Sequence, residues 1–397
     1  MTFDTTARYV LLALVFLLVL TSWIPGRSCT FLFDAAVFAL AAAWALHRLA
    51  RPAPVTRTIL AAPLAAIVLW GFLQLAAHTT VYRYETWTAL LDWSALLALF
   101  FLSLQFHGSP AARASLRRAL LAFGFVLSVI SVAQLFSSQG KVFWLFSTQY
   151  PDVVGPFLNR DHYSAFIELL LPLAAVQAFW SRRHKIAYAA IAGAMLATII
   201  ASASRAGTIV GTLEVAVISL AALWGRGPSA ISSRSGAPGT RAASFLRLAA
   251  LAAVFIAVVG WEVVWQRFQD PDPFKFRREM DISSLQMLRD RPWTGFGLGT
   301  FETAYPAYAL FDAGLTVNHA HNDWLEWAAD GGIPLFFLLA FIALWSARAA
   351  WHSPWALGIF AVFLHAAVDF PLHKPAISAC LFVLLGALAA KNTVRRF

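Results

Sequence analysis

Charge is scarce in this chain. Asp, Glu, Lys and Arg make up 13% of its 397 residues, against 60% hydrophobic ones. A water-soluble protein of this length needs far more polar surface, which excludes a soluble globular class. Cysteine is scarcer still. Cys29 and Cys380 stand alone, so neither a disulfide framework nor a metal site built on paired cysteines is available. The first apolar run lacks a small-residue cleavage site and is followed by further runs, and so reads as a retained helix rather than a signal peptide. The net charge of +10 would suit nucleic acid in a soluble protein. In a chain this apolar it reads instead as the cytoplasmic excess of Lys and Arg typical of membrane proteins, and no nucleic-acid partner is expected.

What the chain does have is apolar runs long enough to cross a bilayer, recurring from end to end. They predict an all-α polytopic membrane protein with about twelve transmembrane helices. The spans fall near 9–24, 31–50, 58–77, 88–106, 117–137, 162–181, 186–201, 205–224, 246–264, 321–347, 355–369 and 375–391. Alternate loops then divide the basic residues 18 to 12. Every short loop on the richer side is basic, and its one acid is Asp4. Loops on the other side hold ten of the twenty acids, from Glu85 and Asp161 to Glu302 and Asp312. Both termini are therefore expected in the cytoplasm, with the acid-bearing loops outside. The expected organisation is one transmembrane domain over 1–397. Within it, 225–247 is a Gly/Ser/Arg-rich flexible cytoplasmic loop. Residues 265–320 form one large structured exterior loop, in which 275–291 predicts an amphipathic helix. A structured loop among short ones is where function concentrates.

Polar residues gather in a few places, each with a bland reading beside a chemical one. Arg205 lies between two apolar runs, where an arginine snorkels to headgroups or binds an anion. Arg277, Arg278 and Arg289 lie on the amphipathic segment, and are either a solvated face or forks for phosphate oxygens. Asn159, Arg160, Asp161 and His162 mark the outer end of the sixth span, with Asp161 a candidate helix cap. Gly295 to Gly299, which includes Gly297, is either a structural turn or a source of backbone N–H groups for an anion. His319-Ala-His321-Asn322-Asp323 admits three readings. It is a metal site short of ligands, a helix start capped by Asn318 or Asn322, or a histidine general base, most favourably His321 with His319 as the second candidate.

Together these pieces resemble one family, the O-antigen ligase and polymerase superfamily of bacterial envelope glycan assembly. The resemblance covers roughly 150–390. It is carried by Phe157-Leu-Asn-Arg-Asp-His-Tyr-Ser, Ser204-Arg-Ala-Gly, the segment from Arg277 to Phe301, and His319-Ala-His-Asn-Asp-Trp-Leu-Glu. The ligase-branch signature of His-Asn, nine residues and Gly fits His321-Asn322 and Gly332, while Leu335 departs from its last position. Asp161 stands where Asn is common. The resemblance implies a GT-C-like membrane glycosyltransferase of the inner membrane with a periplasmic active site, inverting and independent of metal or other cofactor. The implied donor is a glycan on undecaprenyl pyrophosphate, and the implied acceptor a sugar of lipid A–core. Arg205 and Arg277 would hold the pyrophosphate, joined by Arg278, Arg160 and Arg289. His321 would activate the acceptor hydroxyl, supported by Asn322, Asn159, His162, Gly297 and Gly299.

Polymerases of the superfamily commonly carry two long exterior loops with Arg, ten residues and Gly. That spacing starts here only at Arg113 and Arg182, both on the cytoplasmic side, which favours a ligase over a polymerase. Two rivals come from another class. A secondary transporter would explain the acids Asp34, Asp92, Glu168 and Glu214 in or near spans, but no repeat relates the halves. A flippase for the same lipid would need cations inside a central cavity, whereas the arginines collect at one surface.

Overall fold

The computed structural model describes residues 2–150, 153–181, 183–224, 275–310, 314 and 316–393, with scattered positions between 242 and 269. The expected ninth span and the 225–247 loop lie outside the residues it describes. Among those it describes, the chain is helical and forms no strand. The helices are α1 (Phe3–Leu20), α2 (Ser28–Ala50), α3 (Ala61–Ala76), α4 (Arg83–Phe106), α5 (Pro110–Ser137), α6 (Arg160–Trp180), α7 (Lys185–Ala201) and α8 (Arg205–Leu223). There follow α9 (Lys275–Asp290), the one-turn α10 (Phe301–Ala304), α11 (Asp323–Ala350), α12 (Pro354–His365) and α13 (Pro375–Thr393). Seven of them are long and apolar enough to cross a membrane: α1, α2, α4, α5, α6, α8 and α11. Four shorter apolar helices, α3, α7, α12 and the Pro375–Lys391 part of α13, fall on the remaining expected spans other than the ninth.

α6 is buried along almost its whole length, which makes it the central helix. Pro172 within it cannot donate to the carbonyl of Glu168. α12 packs over that place with Gly358 so close that a Cβ there would meet Leu169 O at 2.7 Å. Deeper in the bundle, Glu168 is neutralised by His365 at 2.9 Å, so this intramembrane acid is a paired one. Contacts bring the starts of α2, α4, α6, α8, α11 and α13 to one end of the bundle: Arg27 and Tyr82 line one cavity with His319, Ser204 bonds to Asp161, and Leu372 N donates to Asp323 Oδ2.

α11 is broken at Gly332, where φ is 67° and ψ −169°. The break explains how the loop before it is seated. A Cβ at Gly332 would lie 2.7 Å from Pro292 O, so only glycine admits the loop backbone this closely. Carbonyls that the break frees are then satisfied from outside the helix. Ala329 O accepts from Phe296 N at 3.0 Å, Asp330 O from Gly297 N at 2.9 Å and Gly331 O from Trp70 Nε1 at 2.9 Å. In return Ile333 N donates to Pro292 O at 2.8 Å. Met287, Phe296, Phe301 and Tyr305 close a small second core under α9 together with Ala329 of α11, so residues 275–310 are packed onto the bundle end.

Candidate functional site

Three helices begin close together at this end, and each start is capped by its own sequence. Asn159 Oδ1 accepts from Asp161 N at 2.7 Å at the start of α6. Ser204 Oγ accepts from Gly207 N at 3.0 Å at α8, and Asn322 Oδ1 from Leu325 N at 3.3 Å at α11. Asn159, not Asp161, therefore caps α6. That leaves the Asp161 carboxylate for longer reach. It accepts from Ser204 Oγ at 2.5 Å and lies 3.6 Å from a guanidinium nitrogen of Arg277. Arg160 precedes Asp161 in the chain and Arg205 follows Ser204. The Asp161 carboxylate thus ties the N-termini of α6 and α8, which carry partial positive charge of their own, to Arg277 of α9.

α9 presents Arg277 inward, and Arg277 donates to Val368 O at 2.7 Å and approaches Asp369 Oδ1 at 4.0 Å. Arg278 and Arg289 fall on the exposed face. Arg289 is twelve residues beyond Arg277, about 18 Å along the axis, too far to grip the same pyrophosphate. The expectation that it joins the clamp is corrected on that ground. The glycine turn is corrected too. The N–H of Leu298 is taken by Gln74 Oε1 at 3.1 Å and that of Gly299 by Asp330 Oδ2 at 2.8 Å, while those of Phe296 and Gly297 go to α11. Gly297 and Gly299 fasten the loop, and their amides are not offered to an anion.

His321 stands one residue before the cap of α11 with φ of 53°, a left-handed conformation uncommon outside glycine. Its Nδ1 lies 2.9 Å from Asp369 Oδ1. A carboxylate only accepts, so Nδ1–H donates and Nε2 is left as the basic nitrogen. Burial works against the Asp369 charge, but the His321 hydrogen bond and the charges of His162, His321 and Arg277 hold its carboxyl well below the usual range. His162 is buried, with Nε2 3.9 Å from Asp369 Oδ2. The Phe370 ring lies between the histidines, with its centroid 4.2 Å from that of His319, 4.6 Å from His162 and 4.7 Å from His321. Lys374 Nζ sits 4.7 Å from the same centroid.

His319 forms a second dyad, with Nδ1 2.7 Å from Glu326 Oε1. Burial holds this imidazole below its usual value in spite of Glu326. His373 joins the cluster through a short bond from Nδ1 to Asp323 and through Nε2 at 3.4 Å from Glu326. Burial opposes its charge, yet Glu326 and Asp323 outweigh it and raise His373 to about 9. Donor atoms of His319, Glu326 and His373 lie within 4.8 Å of one another, close enough for a metal ion. A metal bound there would have to displace the His373 proton; with the proton in place the trio is a hydrogen-bonded ion cluster.

The raised His373 value has a measurable consequence. The stability it contributes is fully present below the unfolded value of 6.5 and is lost as pH rises through about 9. The gap in thermal midpoint between the parent and His373→Ala should therefore be widest at mildly acidic pH and close above about 9. A gap that stays constant over that range would remove the ion cluster.

Asp369, Phe370 and His373 escaped the sequence reading. Their signal was present in Asp369-Phe-Pro-Leu-His-Lys374, a polar island between two apolar runs, but Asp369 was absorbed into the end of the eleventh span. Residues 189–340 match the family model described as O-antigen ligase, and no curated protein matches the chain. The matched stretch takes in Arg205, α9, the glycine turn, His319, His321 and the Gly332 break. It supports membership of the O-antigen ligase superfamily and a ligase- or polymerase-type glycosyltransferase function in a multi-pass membrane protein.

Proposed function

With O-antigen ligase superfamily membership as the premise, we propose that this protein transfers a glycan from undecaprenyl pyrophosphate to a hydroxyl of an acceptor sugar, in the ligase branch a sugar of lipid A–core. The site end of the bundle faces the periplasm, outside the inner membrane. One observation carries the reading: Arg277 lies 3.6 Å from Asp161, where the α6 and α8 starts that begin with Arg160 and Arg205 are joined, and 4.0 Å from Asp369 of the His321–Asp369 pair. Guanidinium groups and helix starts suit a pyrophosphate, and the pair suits a hydroxyl that must lose its proton.

In the proposed step His321 Nε2 takes the acceptor O–H proton as that oxygen attacks the anomeric carbon. The bond from that carbon to the pyrophosphate oxygen breaks, and its electron pair leaves with the pyrophosphate. Attack opposite the leaving group inverts the anomeric centre. The three arginines neutralise the charge that grows on the pyrophosphate, at a place where low dielectric makes them effective. Asp369 holds the ring orientation and stabilises the imidazolium, whose proton then passes to water. No metal is needed for leaving-group departure on this account.

The test combines purified protein, lipid-linked oligosaccharide and lipid A–core in the presence of EDTA. One addition per acceptor, undiminished by the chelator, is the expected product. A ladder growing on the carrier lipid would make the protein a polymerase, and a reaction stopped by EDTA and restored by a divalent cation would replace the arginine clamp with a metal.

A further inference from the structure

A cavity of about 450 Å³ has in its wall His319, whose ring stacks on Phe370, and is lined by neither Arg277 nor His321. The starts of α2 and α4, the 298–302 segment and the start of α11 line it, and its size is within roughly the 300–1,000 Å³ of small-molecule sites. His319 and Glu326 are in its wall, whereas His321 is not. Its charge is the reverse of the arginine cluster. Six carboxylates line it, and its two cations are committed, Arg27 to Asp92 at 2.7 and 2.8 Å and His373 to Asp323 and Glu326. A pyrophosphate would find no uncommitted cation among these lining residues.

One carboxylate is incomplete. Asp330 is 2% exposed, and its Oδ2 accepts from Gly299 N at 2.8 Å, but its buried Oδ1 has no hydrogen-bond partner. A buried carboxylate oxygen left unsatisfied is costly, and one that lines a cavity calls for a donor from a ligand. Hydroxyl and ammonium groups are such donors. The same cavity offers the aromatic surfaces of Tyr82, Trp93 and Trp327, which suit the apolar face of a sugar ring.

We propose that this cavity is a saccharide subsite that takes the acceptor as a neutral or amine-bearing, unphosphorylated sugar hydrogen-bonded to Asp330. Calling the sugar the acceptor rests on the transfer reading above; the saccharide preference of the cavity does not. The arrangement puts the acceptor beside His319 and the donor beside Arg277. It also gives the two dyads different work, with His319 touching the acceptor in its subsite and His321 at the reacting hydroxyl.

The test uses full-length purified protein and saturation-transfer NMR with three probes: maltotriose, the glucosamine trisaccharide and trigalacturonate. The first two should bind, and the anionic probe at least about tenfold more weakly. Asp330→Asn should weaken the glucosamine trisaccharide about tenfold, the loss expected for one well-placed hydrogen bond. Thr88→Trp, at the cavity wall, should abolish maltotriose binding by filling the space while undecaprenyl pyrophosphate binding is retained, which shows that the variant is folded. Equal binding of all three probes, binding that survives Thr88→Trp, or no binding of any trisaccharide to the parent would each overturn the subsite. The two readings fail separately. If the trisaccharides behave as expected but Arg277→Ala binds undecaprenyl pyrophosphate normally, the cavity stands and the transfer reading falls. If pyrophosphate binding depends on Arg277 while the cavity takes no sugar, the reverse holds.

Discussion

His321→Ala is expected to lower the single-turnover transfer rate by about 10²–10⁴-fold, the usual contribution of a positioned general base, with donor binding unchanged within experimental error. The split follows from geometry. His321 bonds to Asp369, whereas Arg277 is held chiefly by Val368 O at 2.7 Å and Asp161 at 3.6 Å. His319→Ala should behave differently, because His319 pairs with Glu326 and lines the acidic cavity. There the loss should appear in the acceptor KM more than in turnover. Full transfer by His321→Ala together with a dead His319→Ala would exchange the two roles.

Arg277→Ala is expected to lower kcat/KM by about 10²–10³-fold, the scale for removing one preorganised charge from a transition state. It should also weaken the binding of undecaprenyl pyrophosphate. The effect is large because this side chain has two duties. It offers a fork to the donor, and it holds Val368 O at 2.7 Å and lies 3.6 Å from Asp161, so the loop carrying Asp369 is anchored through it. Arg277→Lys should rescue little, since an ammonium cannot make the paired contacts of a planar fork. A purified Arg277→Ala protein that binds undecaprenyl pyrophosphate as the parent does would remove the clamp.

The helices were legible in the sequence because the bilayer imposes length and apolarity on each of them, and amphipathic α9 showed through its periodicity for the same kind of reason. Histidines, arginines and an asparagine in a greasy chain were equally conspicuous, so His319, His321, Asn322, Arg160, Arg205 and Arg277 could be singled out. Partnership was not legible. Asp369 is 48 residues from His321 and meets it only because α11 and α12 pack side by side. Asp161 looked like a cap because it opens a helix, yet Asn159 two residues earlier has the better geometry. The glycines of the 295–299 turn suggested an anion cradle, but what they answer is the break at Gly332, which no local pattern announces.

The left-handed backbone at His321 bears on how much the fold tolerates for its chemistry. A side chain bearing a Cβ pays about 1–2 kcal/mol to sit in that region, and glycine does not. Of two inactive variants, His321→Gly should therefore unfold at a higher temperature than His321→Ala. The parent carries the same conformational penalty as the alanine chain. Both variants also lose the bond to buried Asp369, so glycine recovers the backbone cost only relative to alanine, and the strain at 321 is what the chain carries to keep an imidazole against that carboxylate.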